Sequence, residues 1–237
     1  MYPKHHNSLI YQTSNKRDKN LSFMYGEKEI VLSNRNNFLK KFGLKYEDCV
    51  VMEAEHKKKI SFVTCRDKGK SIQTEAFITS EPGVTLFLLT GDCFPVCYYD
   101  PFKKVVALAH LGWKPTNLRL AQKVVTELVK RFESKPKDIQ VFIGPGIHKE
   151  SYVFKDPVQK NMKEWSHFLT ELPDGNVQID ILGYIKKQLD SAGIPSGNIS
   201  INPVDTYTSE EYYSYYRANI TNEEDGRFAT IVGLRKE

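Results

Sequence analysis

The sequence is short of cysteine, of histidine and of long apolar runs, and each scarcity excludes something. Four cysteines, Cys49, Cys65, Cys93 and Cys97, in 237 residues lack the density of a secreted disulfide scaffold. No apolar run approaches the roughly 20 residues that span a bilayer. The first residues, MYPKHHNSLIYQTSNKRDKN, show neither the apolar h-region nor the small-residue cleavage site of a secretory signal. These absences set the expectation of a soluble, reduced, cytoplasmic protein with no membrane partner. Strong charge of one sign is also missing. The net charge is +5, and the lysine-rich patches EHKKKI and RDKGK read as solvated faces rather than a nucleic-acid stripe. The His5-His6 pair is too short for a purification tag and reads as surface decoration.

What is present fits a globular chain, with 40% hydrophobic and 27% charged residues and enough length to bury a sizeable core. No internal repeat or linker-like stretch divides it, so a single domain over residues 1–237 is expected. CVVM, ISFVT, TEAFIT, VTLFLL, FPVCYY and KVVALAH read as short strands punctuated by SEPG and DPFK turns. NRNNFLKKFGL reads as a helix capped by Ser33, with Phe38, Leu39 and Phe42 on one face and Gly43 as its stop. TNLRLAQKVVTELVKRF reads as a helix begun by Thr116 or Asn117, with Leu118, Ala121, Val125, Leu128 and Phe132 at helical spacing. IQVFIGPG follows as a strand, VQIDILGYIKKQLDSAG as a second amphipathic helix, then NISINPV and RFATIVGL as strands. Strands outnumber helices and follow one another too closely for helical crossovers. The expected class is α+β, a mixed or antiparallel sheet system covered by helices.

Two apolar runs are interrupted by reactive side chains: Asp92-Cys93 in LLTGDCFPVCYYD and His110 in ALAHLGWKPT. If the strands VTLFLL and VVALAH are neighbours, both groups reach one mouth of the sheet. A thiolate and an imidazole with His56 as a third donor would leave a tetrahedral metal site with one open position. Cys93 and His110 could equally be a nucleophile and its base, oriented by Asp92. They could also be a small core thiol and a satisfied interior histidine. Cys97, alternating with Val96 and Tyr98 inside a strand, reads as core.

TGDCFPVCYYDP followed by VVALAHLGWKPT resembles the paired signature T-A-D-C-x-P-V and H-A-G-W-R-G-T of the YfiH family. These are also called laccase-domain proteins, polyphenol oxidases or peptidoglycan editing factors, and have been assigned as zinc-dependent purine nucleoside phosphorylases. SNRNNFLKKFGL, TEAFITSEPGVTLFLLTGDC, IGPGIHKESYVF and SYYRANITNEEDGRFATIVGL are similar to further family segments in the same order. The resemblance implies an α+β sandwich related to the catalytic domains of cytotoxic necrotizing factors. It places the metal on His56, Cys93 and His110, with zinc as the ion and copper as the alternative. It implies phosphorolysis of adenosine, inosine, guanosine and methylthioadenosine, with deamination of adenosine.

A zinc-bound water fits the deamination, and Asp92 beside Cys93 is the candidate acid–base group. Phosphate calls for a cation. Arg35, Lys114 and Arg217 are the candidates, arginine for its bidentate fork, and Tyr215 could stack on a purine or pack in the core. Purine nucleosides and phosphate are thus the expected partners. Six positions depart from the family pattern: Lys114, Pro115, Tyr216, Tyr207 and Ser151 where cysteines are common, and Glu75 where an aspartate is usual. A copper oxidase would need several histidine-rich clusters, and the chain has six histidines, two of them at His5-His6. A metal- or nucleoside-binding protein that has lost turnover is the non-enzymatic alternative.

Overall fold

The computed structural model describes residues 8–236; the His5-His6 pair lies outside them. Its strands are β1 (Leu9–Thr13), β2 (Cys49–Glu53), β3 (Ile60–Phe62), β4 (Ser71–Gln73), β5 (Ala76–Thr79), β6 (Thr85–Thr90) and β7 (Phe94–Asp100). They continue as β8 (Val105–Leu111), β9 (Gln140–Ile143), β10 (Val153–Phe154), β11 (Leu169–Glu171), β12 (Val177–Ile179), β13 (Ile199–Ile201) and β14 (Phe228–Leu234). The helices are α1 (Lys28–Lys40), α2 (Trp113–Asn117), α3 (Leu120–Phe132), α4 (Ile181–Ser191) and α5 (Tyr215–Thr221).

A five-stranded sheet runs β1-β14-β6-β2-β4 and a six-stranded sheet runs β13-β9-β7-β8-β5-β3, with a small third sheet of β10, β12 and β11. Both large sheets are mixed. β7, β8 and β5 are antiparallel, whereas β3 with β5 and β13 with β9 are parallel. The period-two alternation of each strand fills two layers at once. In β7, Phe94, Val96 and Tyr98 face α3 and α4, while Cys97 and Tyr99 face the other sheet. In β8, Val106 and Leu108 meet Leu86 and Leu88 of β6 across the gap between the sheets. Each such fully buried leucine or phenylalanine contributes about 1.5–3 kcal/mol. On the outside of the five-stranded sheet, Phe38 and Leu39 of α1 pack over Val51, Phe87 and Ile231. The result is four layers, helix on sheet on sheet on helix, which is the α+β class expected.

Four local expectations are corrected. β6 and β8 are not strand neighbours; they lie in different sheets and face each other. Ser33 does not cap α1, which begins at Lys28 with Ser33 exposed within it. The helix expected over TNLRLAQKVV is two helices, because Arg119 takes a left-handed conformation at φ +59° and turns Leu118 outward. The helix expected over VQIDILGYIKKQLDSAG starts only at Ile181, because Val177–Ile179 pairs with β10 and β11 as β12. Strands β1, β4, β10 and β11 and helix α5 went unseen in the sequence. The lysine patches carry their own counter-charges: Lys57 meets Glu55 at 2.9 Å and Lys68 meets Asp48 at 2.8 Å. Among the described residues, no helix is long and apolar enough to cross a membrane.

Candidate metal centre and substrate cavity

The gap between the two sheets opens where β2, β6 and β8 end and β7 begins. Strand alternation aims side chains there: His110 continues the face of Val106 and Leu108, and Cys93 that of Cys97. Cys93 stands in the three-residue crossing Gly91–Cys93 from one sheet to the other. His56 comes from the segment after β2, at φ +58°. His56, Cys93 and His110 offer one ligand atom each, all within 4.8 Å of one another, and are the one such group of three among the described residues. The His56 and His110 rings lie 4.9 Å apart between centroids.

The donor set suits a metal ion. Bonds of about 2.0–2.3 Å to zinc hold donors about 3.3–3.8 Å apart, so ångström-scale side-chain adjustment closes the triangle. The space is kept open by Gly112, where a Cβ would stand 2.6 Å from Cys93 Sγ and 3.5 Å from His56 Nδ1. Behind the donors, Nδ1 of the buried His110 meets Glu75 Oε2 at 2.9 Å. Burial by itself would push the His110 imidazole down, but the Cys93 sulfur and the Glu75 carboxylate hold it up to about 10. His56 is held below the usual histidine value, first by desolvation and then by the positive His110. Burial would raise Glu75, yet His110 and two backbone N–H donors bring it below the ordinary range.

The centre lies at the bottom of a cavity of about 610 Å³. One wall is aromatic: Tyr152, Phe154 and Tyr216 pack with centroids 4.8–5.7 Å apart. Opposite it, the Arg227 guanidinium lies 4.4 Å from the Tyr25 ring and 5.4 Å from that of Tyr215. Trp113 and Lys114 also line the cavity.

The structure gathers His56, Cys93, His110, Asp92 and Lys114 around this cavity. It does not bring Arg35 or Arg217 there. Arg35 is buried beneath α1, where its Nε donates to the Leu21 carbonyl at 2.8 Å, its Nη1 to Tyr46, and its plane covers Phe23. Burial lowers its pKa. Arg217 spends its guanidinium on Glu223 and on the carbonyls of Thr206, Tyr207, Ser209 and Tyr212. Asp92 is nine-tenths buried at φ +105°, a conformation costing on the order of 1–3 kcal/mol for a non-glycine residue. Three bonds hold it. Oδ1 accepts from Thr206 at 2.8 Å, Oδ2 from the Tyr216 N–H at 2.7 Å, and its carbonyl from the Ile147 N–H at 2.9 Å. Burial raises its pKa against these bonds. Pro115 falls in the first turn of α2, where an N–H has no partner within the helix. Tyr215 is 51% exposed on the cavity wall rather than in the core.

Sequence reasoning missed a group behind the centre and one on the cavity wall. Glu75 was noted only as a departure, although an acid inside the apolar run TEAFIT is itself a signal. Arg227, one residue before β14, lies in the family-like segment SYYRANITNEEDGRFATIVGL but was not singled out.

A layered α+β sandwich with a His/Cys/His group at the seam of its sheets defines the class, and comparison with known proteins names the family. The chain belongs to the family whose model is described as "Multi-copper polyphenol oxidoreductase laccase", matched over residues 11–235. It is similar to the purine nucleoside phosphorylase YlmD of Bacillus subtilis, 26% identical over 218 residues covering 87% of this chain and 78% of that one. It is also similar to the adenosine deaminase RL5 of an unknown prokaryotic organism, 25% identical over 182 residues, 71% of this chain and 69% of that one. The crystal structure of YfiH from Bacillus licheniformis shares the fold with a TM-score of 0.87 at 24% identity, over 96% of this chain and 93% of that one. The YfiH resemblance seen in the motifs is thereby borne out.

Proposed function

We propose that this protein is a zinc-dependent enzyme of purine nucleosides. It would cleave adenosine, inosine, guanosine or methylthioadenosine with phosphate to base and pentose 1-phosphate, and deaminate adenosine. The observation that carries this reading is the convergence of His56, Cys93 and His110 at the bottom of an aromatic-lined cavity of nucleoside size. The names of the similar phosphorylase and deaminase support it.

In this reading His56, Cys93 and His110 would hold the metal, which would supply Lewis-acid activation of water at neutral pH. Tyr152, Phe154 and Tyr216 offer ring faces to a purine. Lys114 is the cation beside the cavity for phosphate, in place of Arg35 and Arg217. Arg227 also lines the cavity, but its guanidinium is spent on Asp225, the Gly226 carbonyl and the Tyr25 hydroxyl. Asp92 holds the Thr206 and Tyr216 segments against the centre; moving a proton through it would require giving up one of those bonds. The copper oxidase alternative draws on the family description. Against it, the described residues hold one histidine-containing ligand group where a multicopper centre needs several.

The test is metal analysis of protein purified without chelator, together with chromatography of adenosine incubated with and without phosphate. Adenine release that depends on phosphate establishes phosphorolysis, and inosine establishes deamination. If neither product exceeds that of a His110→Ala control, the catalytic reading fails and a binding protein remains.

A further inference from the structure

Glu75 is the most deeply buried acid near the centre, wholly shielded from solvent, and none of the roles above uses it. Its two carboxylate oxygens do different jobs. Oε2 bonds Nδ1 of His110 at 2.9 Å. Oε1 accepts the backbone N–H groups of Glu55 and Lys57, at 2.6 and 2.9 Å, and these two residues flank His56. The main chain repeats the pattern. The Glu75 carbonyl accepts from the His110 N–H at 2.8 Å, and the Glu75 N–H donates to the Lys59 carbonyl at 2.9 Å, at the far end of the His56 segment.

We infer that Glu75 is the positioning residue of the metal centre, a single carboxylate that fixes one histidine by its tautomer and the other by its backbone. The inference rests on the metal reading above. Because Nδ1 faces a carboxylate acceptor, it carries the proton, and the lone pair of Nε2 is left on the Cys93 side for the ion. Because both N–H groups beside His56 end on one oxygen, the left-handed turn that presents the imidazole is held where β5 begins. His56 is the exposed ligand of the three, and this clamp supplies the order that packing does not. Glu75 sits on the first residue before β5, so both histidines are referenced to the rigid six-stranded sheet.

Glu75→Gln separates the two jobs. Only the amide oxygen can accept from Glu55 and Lys57, so it takes the Oε1 position. The amide NH2 then faces His110 Nδ1, which must accept, and the ring proton moves to Nε2, blocking the ion. Zinc affinity is measured by competition with a chromophoric chelator, and cobalt(II) is substituted for zinc to record its tetrahedral absorption. The expected result is zinc binding weakened on the order of 10- to 100-fold and reduced cobalt absorption, beyond whatever loss of the buried His110 contact costs the metal-free protein. Zinc binding within about twofold of wild type overturns the inference. A purely structural role would instead lower the metal-free melting temperature and leave affinity untouched, which also overturns it. Should the variant not fold, long-range proton–nitrogen NMR of the zinc-loaded wild type decides: a proton on Nδ1 of His110 with Nε2 on the metal supports the inference, and the reverse arrangement overturns it. Wild-type protein that takes up no zinc defeats the metal reading itself and this inference with it, and is distinguished by the missing cobalt spectrum.

Discussion

Gly112 has no backbone reason to be glycine, since its φ of −86° is open to any residue. Its reason is the 2.6 Å that a Cβ would leave to Cys93 Sγ. Gly112→Ala is therefore expected to displace the thiol, weakening zinc binding at least tenfold, at an overpacking cost of about 1–3 kcal/mol. Calorimetric titration with zinc checks it, and unchanged affinity would remove Cys93 from the ligand set. The cations give a second contrast at this scale. Arg217→Ala strands the carbonyls of Thr206, Tyr207, Ser209 and Tyr212, so it is expected to cost about 2–4 kcal/mol in urea denaturation. Lys114→Ala breaks no such network and is expected to leave stability within about 0.5 kcal/mol while raising the KM for phosphate. Both arginines were attractive in the sequence for the chemistry of their fork, and the fork is what the fold used, on carbonyls and rings. A residue type states what a side chain can bind and leaves open which partner reaches it first.

At the scale of elements, the strands were legible because burial on both faces leaves short, near-continuous apolar runs bounded by turns. FPVCYY and KVVALAH form β7 and β8 largely as read. Helix ends were less legible, since they depend on single residues. Arg119 in the left-handed region breaks a pattern that hydrophobic spacing alone runs together, and α1 starts without a side-chain cap. The caps make a direct comparison. Asp180 caps α4 by accepting from the Gly183 N–H at 2.7 Å, so Asp180→Ala is expected to cost about 1 kcal/mol. Ser33→Ala, the alteration that the sequence would nominate as damaging, is expected to be neutral or to stabilise by about 0.5 kcal/mol, since Ser33 is mid-helix and exposed. Paired urea curves decide it; a larger loss at Ser33 would contradict the helix start at Lys28. Strand β1 escaped notice because LIYQT gains its pairing only from β14 at the other end of the chain.

At the scale of the whole molecule, the site was half legible. The spacings between His56, Cys93 and His110 carry no local motif, and it was the family resemblance that joined them. They meet because one donor follows the five-stranded sheet, one sits on the six-stranded sheet, and one lies in the crossing between. An ion held by all three would clip the sheets together at their open edge. Saturating zinc, at about 100 times its Kd, is expected to add about 2.7 kcal/mol and raise the melting temperature by several degrees over chelator-treated protein. His110→Ala is expected to abolish that rise. Equal melting with zinc and with chelator would show that no such clip forms. The short crossing Gly91–Cys93 has one more consequence. Asp92 within it takes the Tyr216 N–H on its carboxylate and the Ile147 N–H on its carbonyl, so part of the aromatic wall hangs from the residue next to Cys93. On the proposed reading, a substitution that shifts the Tyr216 segment would be felt at the thiol through Asp92, so selection would retune substrate choice and chemistry together.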